Sequence, residues 1–323
     1  MLGWDREEPQ MQVTVLGSIN VDSILSVAAL PGPGETVLAH AEARLPGGKG
    51  ANQAIAAARM GAETAMVGAV GGDPEGAWMR AQLSEHGVDV TRVQSLGGAA
   101  TGAATIAVDD AGENLIVVLP GANARLTAGH VPSALPGLLL AQLEIPVAAV
   151  AAALDRADGP VLLNAAPTVP DAAALFPRCD VVIVNQHELG LYAGTGRIEG
   201  KDAAAAAARK LLSRRDQTFV VTLGAGGALA VRADRDLHVP AVPVTPLDTV
   251  GAGDCFCGAL AALLAEGRPL DAALAVANAA AALCTQARGA APAMPRRAAV
   301  EALCDAPTDS SPPIKKARAH PID

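Results

Sequence analysis

A chain of 323 residues with 51% hydrophobic and 18% charged residues can bury a sizeable core. Global disorder is excluded, and one large α/β domain, or such a domain with a small accessory piece, is expected. The net charge of −9 argues against a nucleic-acid backbone as the main partner, and 2% aromatics leave too few rings for a base-stacking platform.

Cys179, Cys255, Cys257, Cys284 and Cys304 are odd in number and form no pair of C-x-x-C motifs. Reduced thiols in a cytoplasmic protein are expected, not a disulfide framework or a zinc site. Met1 to Gln10 is polar, so it is not expected to act as a signal peptide, and no apolar run reaches the length of a membrane span.

In chain order, a buried strand is expected over Met11 to Gly17 and a second over Val21 to Val27, followed by the turn cluster Pro31-Gly32-Pro33-Gly34. Glu35 to Arg44 reads as extended. A helix follows from about Ala51 to Met60, ended by Gly61. Then come a strand over Ala65 to Val70, a helix over Pro74 to His86, and a hairpin joining Thr101–Val108 to Glu113–Leu119. Beyond it, strands near Leu138–Leu143, Val161–Leu163, Val181–Val184 and Phe219–Leu223 accompany helices near Val147–Arg156, Asp202–Ser213, Gly253–Ala265 and Leu270–Gln286. That alternation predicts a mostly parallel sheet covered on both faces. The early extended segments, roughly 21–46 and 99–120, predict a small β lid on a domain spanning 11–305, with flexible termini at 1–10 and 306–323. The basic run Lys315-Lys316-Ala317-Arg318 reads as part of a solvated tail.

Four segments carry chemistry. In Asp248-Thr249-Val250-Gly251-Ala252-Gly253-Asp254, glycines before an apolar helix offer backbone amides to an anion, with Asp254 at the helix start. The helix dipole and hydrogen bonds there should keep Asp254 ionised and able to take a proton. A base beside an anion hole is what phosphoryl transfer to a hydroxyl needs, although a glycine turn with an acidic cap reads the same way. Gly47-Gly48-Lys49-Gly50-Ala51-Asn52-Gln53 lacks the P-loop spacing. Its Lys49 and Asn52, with Asn20 and Asp22 after the first strand, suit sugar hydroxyls, which donate and accept at once. Asn185-Gln186-His187-Glu188 after a strand could order water around Mg²⁺ or simply cap a helix. Thr222-Leu223-Gly224-Ala225-Gly226-Gly227 could lie against a nucleotide.

Taken together and in order, LGSINVD (16–22), PGETV (33–37), GGKGANQA (47–54), DDAGEN (109–114), GAN (121–123), QLE (142–144), NQHE (185–188), TLGAGG (222–227) and DTVGAGD (248–254) resemble the ribokinase family, the PfkB carbohydrate kinases. The resemblance covers about residues 11–305. It implies a Rossmann-like three-layer α/β/α fold with a β-sheet lid that often builds a homodimer, ATP and Mg²⁺ as cofactors, and transfer to the primary hydroxyl of a small sugar. Carried over by position, it makes Asp254 the base and Gly251, Ala252 and Gly253 the anion hole. The sugar ligands become Asn20, Asp22, Gly48, Lys49, Asn52 and Glu144. Asn185, Thr222, Gly224, Gly227, Gly253 and Asn278 become nucleotide ligands, and Glu188 a Mg²⁺ partner through water. GSIN-x-D with GGKGANQA is more similar to the family's D-ribose kinases than to those for fructose or adenosine, so ribose 5-phosphate is the expected product. Deoxyribose, fructose, adenosine and pseudouridine remain alternative substrates. Asp248, Val250, Arg288 and Gly289 match a monovalent-cation site, where Ala293 stands in place of a serine the family's ribose kinases tend to have, which puts activation by K⁺ in doubt.

Two other classes compete. A dinucleotide-dependent oxidoreductase would show G-x-G-x-x-G after the first strand, and Gly17-Ser18-Ile19-Asn20 does not fit it. A non-catalytic sugar-binding regulator should have lost the base or the anion hole, and both are present.

Overall fold

The protein is described by a computed structural model over residues 12–305. The expectations for residues 1–10 and for the 306–323 tail with its basic run lie outside the described residues.

In chain order the elements are β1 (Val13–Leu16), β2 (Asn20–Val27), β3 (Ala39–Gly47), α1 (Lys49–Arg59), β4 (Thr64–Gly71), α2 (Pro74–Glu85), β5 (Val88–Asp89), β6 (Val93–Leu96), β7 (Gly102–Val108) and β8 (Asn114–Leu119). They continue with β9 (Leu138–Ala141), α3 (Val147–Arg156), β10 (Val161–Asn164), β11 (Val181–Asn185), α4 (Gln186–Ala193), α5 (Gly200–Leu211), β12 (Thr218–Thr222), β13 (Ala228–Val231), β14 (Asp236–Val239), α6 (Ala252–Ala265), α7 (Leu270–Cys284) and α8 (Arg297–Asp305).

The main sheet runs β14-β13-β12-β11-β10-β9-β1-β4-β5, with β6 also on β4. Every pairing from β4 across to β12 is parallel, and only β13 and β14 join antiparallel. Both faces are covered, which is why the central strands read as continuous apolar runs. Along β9, Leu138 and Leu140 enter one core with α1, α6 and α7, while Leu139 and Ala141 enter the other with α3 and α5. No helix among the described residues is long and apolar enough to cross a membrane.

A second sheet of four strands has the order β3-β2-β7-β8. Its edge strand β8 is exposed along its whole length, with Val117 60% and Leu119 58% accessible.

The small residues of α6 set how the site is assembled. A Cβ on Gly258 would lie 2.4 Å from the Gln53 carbonyl oxygen and 2.6 Å from the Ala56 Cβ. Only glycine allows α1 and α6 this close, and the approach presses Asn52 and Gln53 against the first turn of α6. The helix expected from Ala51 begins instead at Lys49. Its N-cap Gly48 offers no side chain, and the Glu144 carboxylate, from the segment after β9, accepts the Lys49 N–H at 3.0 Å. An anion from another element thus satisfies a helix start that local sequence leaves bare.

Candidate active site

Asp254 is the centre of the site. It is buried in the first turn of α6, whose N-cap Gly251 has φ 79°. A side chain at 251 would be strained by that angle and would meet the Ala290 Cβ at 2.7 Å. Adjacent residues of α1 hold the carboxylate: Asn52 Nδ2 donates to Oδ2 at 3.0 Å and Gln53 Nε2 to Oδ1 at 2.9 Å. Burial pushes its pKa up, opposed by the Lys49 ammonium and by the two amide donors. The expected hydrogen bonds to the ionised form are present, and burial, which local sequence does not show, acts against them. Burial favours the protonated form, so the group's affinity for a proton lies above that of an ordinary aspartate.

The other expected sugar-side residues gather around it. Lys49 is raised in pKa chiefly by Asp254. Asp22, on β2, is pushed up to about 7 by burial and by the nearby Glu144 and Asp254 charges. Glu144 Oε2 accepts the Ser18 hydroxyl at 2.6 Å in addition to the Lys49 amide. Asn20 is buried, and its Oδ1 accepts from Asn123 Nδ2 at 2.7 Å. Asp22 Oδ1 and Asn52 Oδ1 are buried acceptors with no donor among the described residues. Orphaned acceptors of this kind are rare in native interiors and call for donors from a ligand.

A cleft of about 450 Å³, measured to its open mouth, begins at Asp254 and leads outward. Its lining brings together Lys49, Asn185, Glu188, Thr222, Gly251, Gly253 and Asp254. Gly224, Gly227 and Asn278 are not in that lining. Gly224 and Gly227 close a tight turn on each other at 3.0 Å, and Asn278 Nδ2 is spent on the carbonyls of Val239 and Pro240 at 3.1 and 3.3 Å. Ala252, expected in the anion hole, donates its amide to the Thr249 carbonyl at 3.3 Å. The first helical bond of α6 runs from Cys255 N–H to Gly251 O, so the amides of Gly253 and Asp254 precede the helical ladder.

At the outer end Asn185 and Glu188 form a reciprocal capping box on α4, each side chain accepting the other's amide at 2.8 Å. Burial raises the Glu188 pKa while the Asn185 amide pulls it back. Asp248 ties two loops together: Oδ1 accepts from Val250 N at 2.9 Å and Oδ2 from Gly289 N at 2.8 Å. Arg288, beside it, is exposed.

Sequence reasoning missed Ser18, Gln53, Asn123, Gln142 and Asn164. Gln142 and Asn164 are polar side chains that end apolar strands and are buried with Gln53 and Asn123, and a buried polar side chain must find a partner. An apolar run ending in a lone amide was the signal available for Gln142 and Asn164.

Residues 10–297 match the family described as pfkB family carbohydrate kinase. The ribokinase of Bacillus subtilis is 36% identical over 299 residues, covering 90% of this chain and 98% of that protein. The crystal structure of a Thermotoga maritima ribokinase superimposes with a TM-score of 0.85 at 32% identity, covering 91% of this chain and 99% of that one. An Arabidopsis thaliana ribokinase, whose structure holds ribose and ATP, gives a TM-score of 0.82 at 30% identity over 92% and 99% of the two chains.

Proposed function

The chain belongs to the pfkB family of carbohydrate kinases, and from that premise we propose that it transfers the γ-phosphoryl group of ATP to the primary hydroxyl of D-ribose, giving D-ribose 5-phosphate. The observation that carries this reading is the buried Asp254 carboxylate, held by Asn52 and Gln53, at the inner end of a cleft whose mouth carries Asn185, Glu188 and Thr222. The sugar lies among Asn20, Asp22, Gly48, Lys49, Asn52 and Glu144, where the unpartnered Asp22 and Asn52 oxygens accept from its hydroxyls. The nucleotide enters from the outer end, along Asn185, Thr222 and Gly253, with Gly224, Gly227 and Asn278 supporting the wall behind it.

In the transfer the sugar O–H bond breaks and its proton goes to Asp254. An O–P bond forms to the γ-phosphorus. The bond from that phosphorus to the bridging oxygen breaks, and its electron pair leaves on ADP. The amides at the start of α6, Gly253 foremost, together with the Lys49 ammonium, stabilise the charge on the moving group.

Mg²⁺ fits the outer end as a hydrated ion. Among the described residues no three His, Cys, Asp or Glu side chains form a cage for a metal, and Glu188 keeps one carboxylate oxygen outside its cap. The ion would be held by phosphate oxygens and waters with Glu188 and Asn185 beside it, and it supplies charge neutralisation to the phosphates. Asp248, Val250, Arg288 and Gly289 fit a monovalent cation in part. The loops are already joined by Asp248, and Ala293 contributes no side-chain oxygen.

The four-stranded sheet acts as a lid over the sugar, keeping water from the phosphoryl group. The exposed apolar row Leu115 to Leu119 on its edge strand fits a homodimer built through the lid. Sedimentation equilibrium of Val117→Lys should then give a monomer where the parent gives a dimer. Five free cysteines fit a reducing cytoplasm.

The reaction is tested by a coupled ADP-release assay across ribose, deoxyribose, fructose, adenosine and pseudouridine, with and without Mg²⁺ and K⁺. Ribose should give the highest kcat/KM. A higher value for another acceptor would reassign the substrate, and no sugar-dependent ADP release at all would sink the kinase reading.

A further inference from the structure

Asp254 is joined to a chain of buried amides, of which Asn164 also lines the cleft. Gln53 is fully buried, and both hydrogens of its amide nitrogen are used: one on Asp254 Oδ1 at 2.9 Å, the other on Asn164 Oδ1 at 3.0 Å. Its carbonyl oxygen accepts from Gln142 Nε2 at 2.7 Å. Gln142 is also fully buried, and Asn164 nearly so. Three elements beside α6 are therefore joined to the carboxylate: α1 through Gln53, the end of β9 through Gln142, and the end of β10 through Asn164.

An amide can be turned over, exchanging its donor and acceptor ends, and the orientation must be set by partners that cannot turn. Here the fixed point is the backbone carbonyl of Ile183, which can only accept, and to which Asn164 Nδ2 donates at 3.3 Å. That places Asn164 Oδ1 towards Gln53, which therefore presents its NH₂ there and to Asp254, and its oxygen to Gln142. Turning Gln53 over would set its oxygen against a carboxylate and a second carbonyl in a low-dielectric interior.

We propose that Gln53, oriented by Gln142 and Asn164, is a positioning residue that fixes the Asp254 carboxylate through Oδ1 and so aims it at the sugar hydroxyl. This rests on the reading of Asp254 as the base. The hydrogen bond from Gln53 also lowers the proton affinity that burial has raised, so its loss has a signature in pH as well as in rate. The charged and titratable groups that face Asp254 are Lys49 from α1, Asp22 from β2, Glu144 from the segment after β9, Glu188 from α4, Cys255 and Cys257 on its own helix, and Cys284 from α7. Changes at Gln53 and Gln142 leave all of them in place.

The test is the pH dependence of kcat for Gln53→Met, which keeps the bulk and removes the donor. The acid limb should move to higher pH, and kcat should fall about tenfold to a hundredfold, the scale of a misaimed catalytic group, with KM for ribose and ATP changed much less. Gln142→Met, whose side chain does not touch Asp254, should move the limb the same way by a smaller amount. It also decides the matter where Gln53→Met does not fold. Acid limbs that superimpose on the parent's in the folded variants would overturn the proposal. Asp254→Asn, assayed in parallel, separates the two claims: normal turnover there removes the base itself, whereas a dead Asp254→Asn beside an unshifted Gln53→Met removes only the positioning role.

Discussion

The inner and outer ends of the cleft are built by different means. At the inner end, Glu144 and Asp254 are held by partners far away in sequence: Ser18 lies 126 positions from Glu144, and Asn52 lies 202 from Asp254. At the outer end, Asn185 and Glu188 hold each other three residues apart, and the turn after β12 closes on its own glycines. The inner end exists only when the whole sheet and the α1–α6 crossing are formed. There burial sets the chemistry, raising the proton affinity of both Asp22 and Asp254. The outer end is local structure placed at strand ends, where a nucleotide can come and go. One end encloses desolvated carboxylates, and the other offers a surface assembled from ordinary caps and turns.

Changes at the inner end should therefore have the larger effects. Asp254→Asn removes the proton acceptor while keeping an acceptor oxygen for one of its two amide donors. Turnover should fall by about 10²–10⁴-fold, with the circular dichroism spectrum preserved. Near-normal turnover would erase the contrast between the ends at its root.

Asp22→Asn probes the same end through stability. The Asp22 carboxyl is pushed up from 3.8 to about 7 in the folded chain. Between those values the folded protein holds a proton that the unfolded chain has lost, so this group's contribution to stability falls as pH rises through that window and stays low above it. At about 1.4 kcal/mol per pKa unit, the cost above about pH 7 is at most about 4 kcal/mol. Asp22→Asn should thus raise Tm at about pH 8, with the gain shrinking towards about pH 4, while KM for ribose rises. A Tm gain of equal size at both pH values would show that the buried charge is not its origin.

The same division decides what could be read from the sequence. Strands β4, β9, β10, β11 and β12 and helices α3, α6 and α7 follow from apolar runs and breakers, because both faces of the sheet are buried. The antiparallel strands β13 and β14 and the helix α8, with Val300 as its one buried residue, were not expected, since the half-exposed edge strand β14 and a thinly buried helix leave little pattern. In the site, Asn52 and Asp254 sit in glycine-rich motifs and stood out. Gln53 sits beside Asn52 yet reads as one more helical residue, and its role depends on Gln142 and Asn164, 89 and 111 positions away. Asn123 likewise looks like a turn residue until the fold brings Ile19 and Asn20 against it. The burial that raises the proton affinity of Asp254 was not legible for the same reason: the helix start is visible locally, and what packs over it is not.

The smallest effect belongs to the outer end. Asn185→Ala removes one half of the capping box on α4, the bond from Glu188 N–H to Asn185 Oδ1, and leaves the Glu188 carboxylate on the Asn185 amide. Loss of such a cap costs about 1 kcal/mol. Thermal denaturation should show that modest drop, and Asn185→Ser, which can still cap, should recover most of it. Turnover should suffer mainly through a raised KM for ATP, because the residue lies at the nucleotide end and touches neither Asp254 nor its amides. If Asn185→Ala instead lowered kcat as far as Asp254→Asn does, with KM for ATP unchanged, the outer end would be part of the chemical step. The separation between a buried catalytic end and a local binding end would then fail.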